Sequence, residues 1–138
     1  MIVYLLDTNI VSELRRPRPH GALLAWLAGV AEHDLHISAV TIGEVQAGIE
    51  LTRDQDPAKA GEIEKWLEQV ADTYNVLPMD AAVFRIWAKL MHRRSDTLLE
   101  DAMIAATALR HRLIVVTRNA RDFRAFHTTV FNPFETTR

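Results

Sequence analysis

Apolar and polar positions along the chain follow two rhythms. Residues 2–6, IVYLL, form an unbroken apolar run, and so do residues 113–116, LIVV. A run that does not alternate predicts a strand buried on both faces. Weaker strand signals lie at LHISAV (35–40), NVLPM (75–79) and TTVFNPF (128–134), the last read as an edge strand and tail. Between them apolar residues recur at helical spacing. Helices are predicted over NIVSELRR (9–16), broken by Pro17 and Pro19 before His20, and over GALLAWLAGVAE (21–32). Another covers TIGEVQAGIEL (41–51) with Thr41 as N-cap, and Ile63, Trp66, Leu67 and Val70 mark a further helical stripe. DAAVFRIWAKLMHRR (80–94) is a helix for Asp80 to cap, and SDTLLEDAMIAATALRHR (95–112) one for Asp96 or Thr97. The polar stretch TRDQDPAKAGE (52–62) reads as a loop, and RNARDFRAF (118–126) as a loop with a short helical turn.

Strands alternating with helices predict an α/β domain whose sheet is mainly parallel. In such sheets a ligand sits beyond the carboxyl ends of the strands, where the strand order reverses. Asp7, Thr8 and Asn9 follow the first strand, Ser38 to Glu44 the second, and Thr117, Arg118 and Asn119 follow LIVV. The pattern therefore gathers polar side chains along one sheet edge.

Each acid there has a structural reading as well as a chemical one. Asp7 is a good N-cap at a strand-to-helix junction. The Thr8 and Asn9 that follow it add a hydroxyl and an amide able to orient a carboxylate or a water. Glu44 completes a capping box with Thr41, yet lies in the turn that faces the end of the first strand. Asp101 shares a helical face with Ile104, Ala105 and Ala108 in a helix that is apolar nearly all round. A buried lone carboxylate is costly unless it is paired or bound to a metal. Three acids at one sheet edge repel each other, and a divalent cation resolves the repulsion. Oxygen ligands without cysteine favour Mg²⁺ or Mn²⁺.

The totals narrow the setting. The 138 residues suit one domain over 1–138, with 49% hydrophobic and 25% charged residues, an ordinary globular mix. There is no cysteine, which excludes disulfides and thiolate sites. No apolar run is long enough to span a membrane, and the start lacks a basic leader, so a cytoplasmic protein is expected. A net charge of −2 argues against a broadly basic nucleic-acid binder. Local basic clusters remain: RRPRPH (15–20), His92 to Arg94, and Arg118. A basic rim beside a carboxylate centre suits a metal nuclease, with cations on the phosphates and a metal-activated water. His92, His111 and His127 have no metal-ligand spacing and read as surface residues. Trp26, Trp66 and Trp87 read as core.

The combination of LLDTNIVSEL, ISAVTIGEVQAGI, EDAMIAATAL and IVVTRNARDF, in this order, resembles the PIN-domain ribonucleases, and within them the VapC-type toxins of bacterial toxin–antitoxin pairs. The closing FNPF and the early RRPRP resemble the FitB-like subgroup. The resemblance covers almost the whole chain. It implies a three-layer α/β/α fold with about five strands. It implies Asp7, Glu44 and Asp101 as the metal-binding acids, supported by Thr8, Asn9 and Thr117, with Arg118 a candidate for a substrate phosphate. The family often carries a fourth acid just after the VT strand. Here that position is Asn119, so either Asp122 serves through a water or the site runs on three acids. The resemblance further implies RNA cleavage leaving a 5′-phosphate and a 3′-hydroxyl, a homodimer, and a small antitoxin whose other half binds DNA. Two rival readings stand beside it. One is a PIN-like scaffold that binds RNA or a partner without cutting. The other is a haloacid-dehalogenase-like phosphatase, which needs an acid where this chain has Asn9.

Overall fold

A computed structural model describes residues 3–135. Its strands are β1 (Tyr4–Leu6), β2 (Leu35–Ser38), β3 (Asn75–Leu77), β4 (Ile114–Val116) and β5 (Val130–Phe131). They form one sheet in the order β3-β2-β1-β4-β5, with every pair parallel. β1 is central, and its register sets Leu6 beside Ile37 of β2 and Val116 of β4. Ile2, read as part of the first strand, lies outside the described residues.

The unbroken apolar runs are explained by two cores. Leu5 and Val115 are buried against α5 (Ala81–Met91), α6 (Leu99–His111) and α7 (Ala120–Arg124) on one face. Leu6 and Val116 are buried on the other, against α1 (Thr8–Leu14), α2 (Gly21–Ala28) and the end of α4 (Pro57–Thr73). Successive residues of a strand point to opposite faces, so a sheet covered on both sides needs an apolar residue at every position. The result is the three-layer α/β/α arrangement.

The polar segment 52–62 is not a loop. α3 (Ala39–Gln55) runs through its first part and α4 starts at Pro57, leaving Asp56 alone between two 17-residue helices. Asp56 Oδ1 accepts a hydrogen bond from Lys59 N at 3.1 Å, and Pro57 takes the first helical position, where its missing N–H costs nothing. The segment is polar because it is the exposed end of a helical hairpin whose inner face is Ile49, Ala60, Ile63 and Leu67.

Helix starts also differ from the sequence reading. LHISAV leaves the sheet at Ser38, whose hydroxyl accepts from Val40 N at 3.1 Å and caps α3 in place of Thr41. Neither Asp96 nor Thr97 caps α6. Ser95 caps a short 3₁₀ turn over Asp96–Leu98, which runs into α6 at Leu99. α5 ends at Met91, short of the basic residues His92 to Arg94. Asp80 caps α5 as expected, through Val83 N at 2.9 Å. The three tryptophans are half-buried and packed against the two cores, as expected. Trp26 packs between Tyr4 and Phe131, and Trp87 donates through its indole N–H to Leu99 O at 3.2 Å. Among the described residues, no helix is long and apolar enough to cross a membrane.

Candidate active site

β1 pairs with β2 on one side and β4 on the other, so the strand order reverses at β1 and β4. Their carboxyl ends flank the crevice where parallel sheets bind ligands. Asp7 leaves β1 there. Its backbone N–H still donates to Val116 O at 2.9 Å, so the residue is held as a continuation of the sheet. Its side chain caps α1, accepting from Thr8 N at 2.8 Å on Oδ1. The other oxygen, Oδ2, accepts from the Thr117 hydroxyl at 2.8 Å. Thr117 leaves β4, is fully buried, and accepts in turn from Asn119 N at 2.9 Å.

Glu44 approaches from α3. Thr8 donates its hydroxyl to Glu44 Oε1 at 2.6 Å. That hydroxyl has one proton, so the 2.8 Å contact between Thr8 Oγ1 and Thr41 Oγ1 has Thr41 as donor. Thr41 and Glu44 therefore do not form a capping box. Thr41 is buried, and both side chains are turned across to Thr8 on α1. Asp101 comes from the first turn of α6, half-buried, with Ile104, Ala105 and Ala108 on the same face packed into the core.

Asp7, Thr8, Asn9, Glu44, Asp101, Arg118 and Asn119 all line one open cleft of about 440 Å³. Thr117 stands behind Asp7. Asp122 is exposed and is not part of the lining, though its charge acts on Asp101. Arg118 is anchored in the wall. Its guanidinium lies 3.9 Å from the centre of the Phe134 ring and 3.7 Å from Glu13 Oε1.

Ser12 and Glu13 line the cleft and escaped the sequence reading. Glu13 lines it although the residue is only 6% exposed. The signal was present: Glu13 stands three residues after Ile10, on the buried face of α1. Glu100 is exposed beside Asp101, and its charge acts on both Glu44 and Asp101.

The electrostatics are those of an uncompensated acid centre. Burial pushes the Asp7 carboxyl up to about 6, despite the Thr117 and Thr8 hydrogen bonds that favour its charged form. Asp101 and Glu44 raise it further. Glu44 and Asp101 are themselves pushed up, first by burial and then by acidic neighbours. Among the described residues, no Lys, Arg or His forms an ion pair with Asp7, Glu44 or Asp101. Carboxylates lining one cleft, raised in pKa and, among the described residues, not ion-paired to a protein cation are of the donor type that a hard divalent ion takes. Among the described residues no three acidic or imidazole groups converge to chelating distance.

Comparison with known proteins agrees with this architecture. Residues 4–127 match the PIN domain. Toxin FitB of Neisseria gonorrhoeae is 34% identical over 137 residues, covering 94% of this chain and 97% of that protein. The VapC ribonuclease Y4jK of Sinorhizobium fredii is 32% identical, covering 94% and 96%. The crystal structure of FitAcB from N. gonorrhoeae superposes with a TM-score of 0.85 at 34% identity, over 97% of this chain and all of the other. With its sheet order, its cleft and these relatives in agreement, the chain belongs to the PIN-domain family, in the company of the FitB and VapC toxins.

Proposed function

We propose that this protein is the toxin of a toxin–antitoxin pair and an endoribonuclease that hydrolyses phosphodiester bonds in RNA with the help of Mg²⁺ or Mn²⁺. The observation that carries the reading is the acid centre: Asp7, Glu44 and Asp101 line one cleft at the strand-order reversal, and among the described residues none of them is ion-paired to a Lys, Arg or His. The relatives, VapC ribonuclease and Toxin FitB, support the activity and the toxin role.

In this reading Asp7, Asp101 and Glu44 would hold the ion. An ion held there would supply Lewis-acid chemistry, orienting a phosphate and acidifying a water. The chain does the positioning. Thr117 and the Thr8 backbone fix both oxygens of Asp7, and the Thr8 hydroxyl fixes Glu44. Such outer hydrogen bonds orient metal ligands and set their basicity. Asn9 accepts weakly from Arg118 N at 3.5 Å and pins the β4 exit beside the β1 exit. Of the two candidates for a fourth position, Asn119 lines the cleft and Asp122 acts on Asp101 through its charge. Arg118 contacts a substrate phosphate.

The partner is a small antitoxin with a DNA-binding half. The FitAB complex bound to a DNA fragment, 33% identical and superposing at a TM-score of 0.83, supports that arrangement. A homodimer acting in the cytoplasm completes the proposal. The test is cleavage of labelled single-stranded RNA by antitoxin-free protein, with Mg²⁺, with Mn²⁺ and with chelator, beside Asp7→Asn and Asp101→Asn. Metal-dependent cutting lost in both variants supports the reading. Cutting that survives both substitutions sinks it. Metal binding and RNA binding without cutting, on a broad RNA panel, would favour the non-cleaving scaffold.

A further inference from the structure

Part of the wall of the cleft is built around Glu13. This glutamate is 6% exposed, yet its carboxylate does not serve the acid centre. Oε2 accepts from His20 N at 2.9 Å. Oε1 stands 3.5 Å from Arg16 Nε and 3.7 Å from an Arg118 terminal nitrogen. The Arg118 guanidinium lies 3.9 Å from the Phe134 ring centre, and the edge of that ring meets His20 at 4.9 Å. Glu13, Arg16 and Arg118 all line the same cleft as Asp7, Glu44 and Asp101.

We infer that Glu13 is a positioning residue for the nuclease reaction. It holds Arg118, with Arg16 beside it, as a preset cationic clamp for a substrate phosphate next to the one that is cut. The inference rests on the nuclease reading above. Three features carry it. The first is that neither arginine gives its full set of donors to Glu13. Both contacts exceed ordinary hydrogen-bond length, and among the described residues the Arg118 side chain makes no hydrogen bond, so its fork stays available. A guanidinium stacked on an aromatic ring and tethered to a carboxylate has also lost much of its rotamer freedom before RNA arrives. That lowers the entropy lost on binding. The third feature is burial of Glu13. A purely structural ion pair for two exposed arginines, 68% and 43% exposed, would not require a carboxylate sunk into the core side of α1. Burial fixes the charge in place, and its bond to His20 N locks the loop that carries Arg16.

The test is a set of steady-state cleavage measurements on a single-stranded RNA with Glu13→Gln, Arg118→Ala, the double variant and Phe134→Leu. Glu13→Gln keeps an acceptor for His20 N and removes the charge. Arg118→Ala is expected to raise KM about tenfold, and Glu13→Gln and Phe134→Leu three- to tenfold, each leaving kcat within about twofold. The double variant is expected to fall well short of the product of the two single effects, since Glu13 acts mainly through that arginine. Arg118→Lys is not expected to rescue, because an ammonium neither stacks nor forks. Effects of Glu13→Gln and Arg118→Ala that multiply overturn the inference, as does a fall in kcat at constant KM. Tighter RNA binding by Glu13→Gln overturns it too, making Glu13 a simple repulsive charge. If Glu13→Gln does not fold, Glu13→Asp, which keeps the charge and shortens its reach to Arg118, takes its place in the cycle with Arg118→Ala, and the same outcomes decide. If the wild type cuts no RNA, the nuclease reading fails separately, and the same variants are compared by binding of labelled single-stranded RNA. Weaker, non-additive binding then keeps the clamp, and unchanged binding removes it.

Discussion

The Thr117 hydroxyl donates to Asp7 Oδ2 at 2.8 Å, a bond that closes 110 residues of chain. It joins the ends of the two strands at which the sheet order reverses. The bond favours the charged form of a carboxylate that burial works to neutralise. Thr117→Val keeps the shape and removes the hydroxyl. The orphaned Asp7 oxygen and Asn119 N–H are expected to cost about 1–3 kcal/mol of stability. Metal affinity is expected to fall about 10–100-fold, as for other residues that orient ligands. Chemical denaturation and metal titration of the same variant check both.

Asp7 and Asp101 are raised in pKa and, among the described residues, form no ion pair, so their charge weakens the metal-free fold. Asp7→Asn and Asp101→Asn are each expected to abolish cleavage, with a rate loss of at least about 10²-fold by analogy with loss of a transition-state contact. In chelator at neutral pH both variants are expected to be as stable as the wild type or more so. Melting temperatures beside cleavage rates test this exchange of stability for function. A variant that loses both activity and stability would point to a structural role instead.

The pH dependence follows from the same carboxyl. Asp7 has a pKa of about 6 when folded against 3.8 unfolded, so the folded chain holds its proton more tightly. Stability of the metal-free protein therefore falls as pH rises through that interval and levels off above it. The loss is about 3 kcal/mol at 1.36 kcal/mol per unit. Glu44 and Asp101 push in the same direction. Glu50 and Glu64, held below the ordinary carboxylate range by hydrogen bonds to Arg53 and Gln46, oppose it only on further acidification. In chelator, denaturation at pH 5 is expected to need more urea than at pH 7.5. Excess Mg²⁺ is expected to shrink the difference, since it binds the deprotonated centre. A metal-free protein that is most stable above pH 7 would contradict the assignment.

Asp56 is the sole residue between α3 and α4 and caps the second of them. Asp56→Ala is expected to cost about 1 kcal/mol. It lies at the exposed end of the hairpin, so cleavage at a temperature where the protein is folded is expected to be unchanged. Equilibrium unfolding and one rate measurement are enough to check this.

Much of the fold was legible along the chain because its strands are covered on both faces. That demands apolar residues at every strand position, as in IVYLL and LIVV, and leaves Asp7 and Thr117 as the first polar residues past each end. Asp101 was legible for the opposite reason, as an acid on an apolar helix face. The hairpin was not legible. Its end is solvated, so its polar residues look like a loop, and only packing of Ile49 on Ala60 and Ile63 makes it two helices. Local pattern also chose Thr41 as a cap for Glu44. The tertiary fold overruled it, because Thr8 on another helix offers Glu44 a 2.6 Å hydrogen bond that no neighbour in sequence can supply.

By itself, then, the amino-acid order determined the layers, the strand ends and the acids placed there, since burial and periodicity are local properties. Which acids share a cleft, which hydroxyl holds which carboxylate, and that Glu13 turns towards Arg118 were decided only in three dimensions. Such pairings join residues up to 110 positions apart, and no spacing along a chain encodes them.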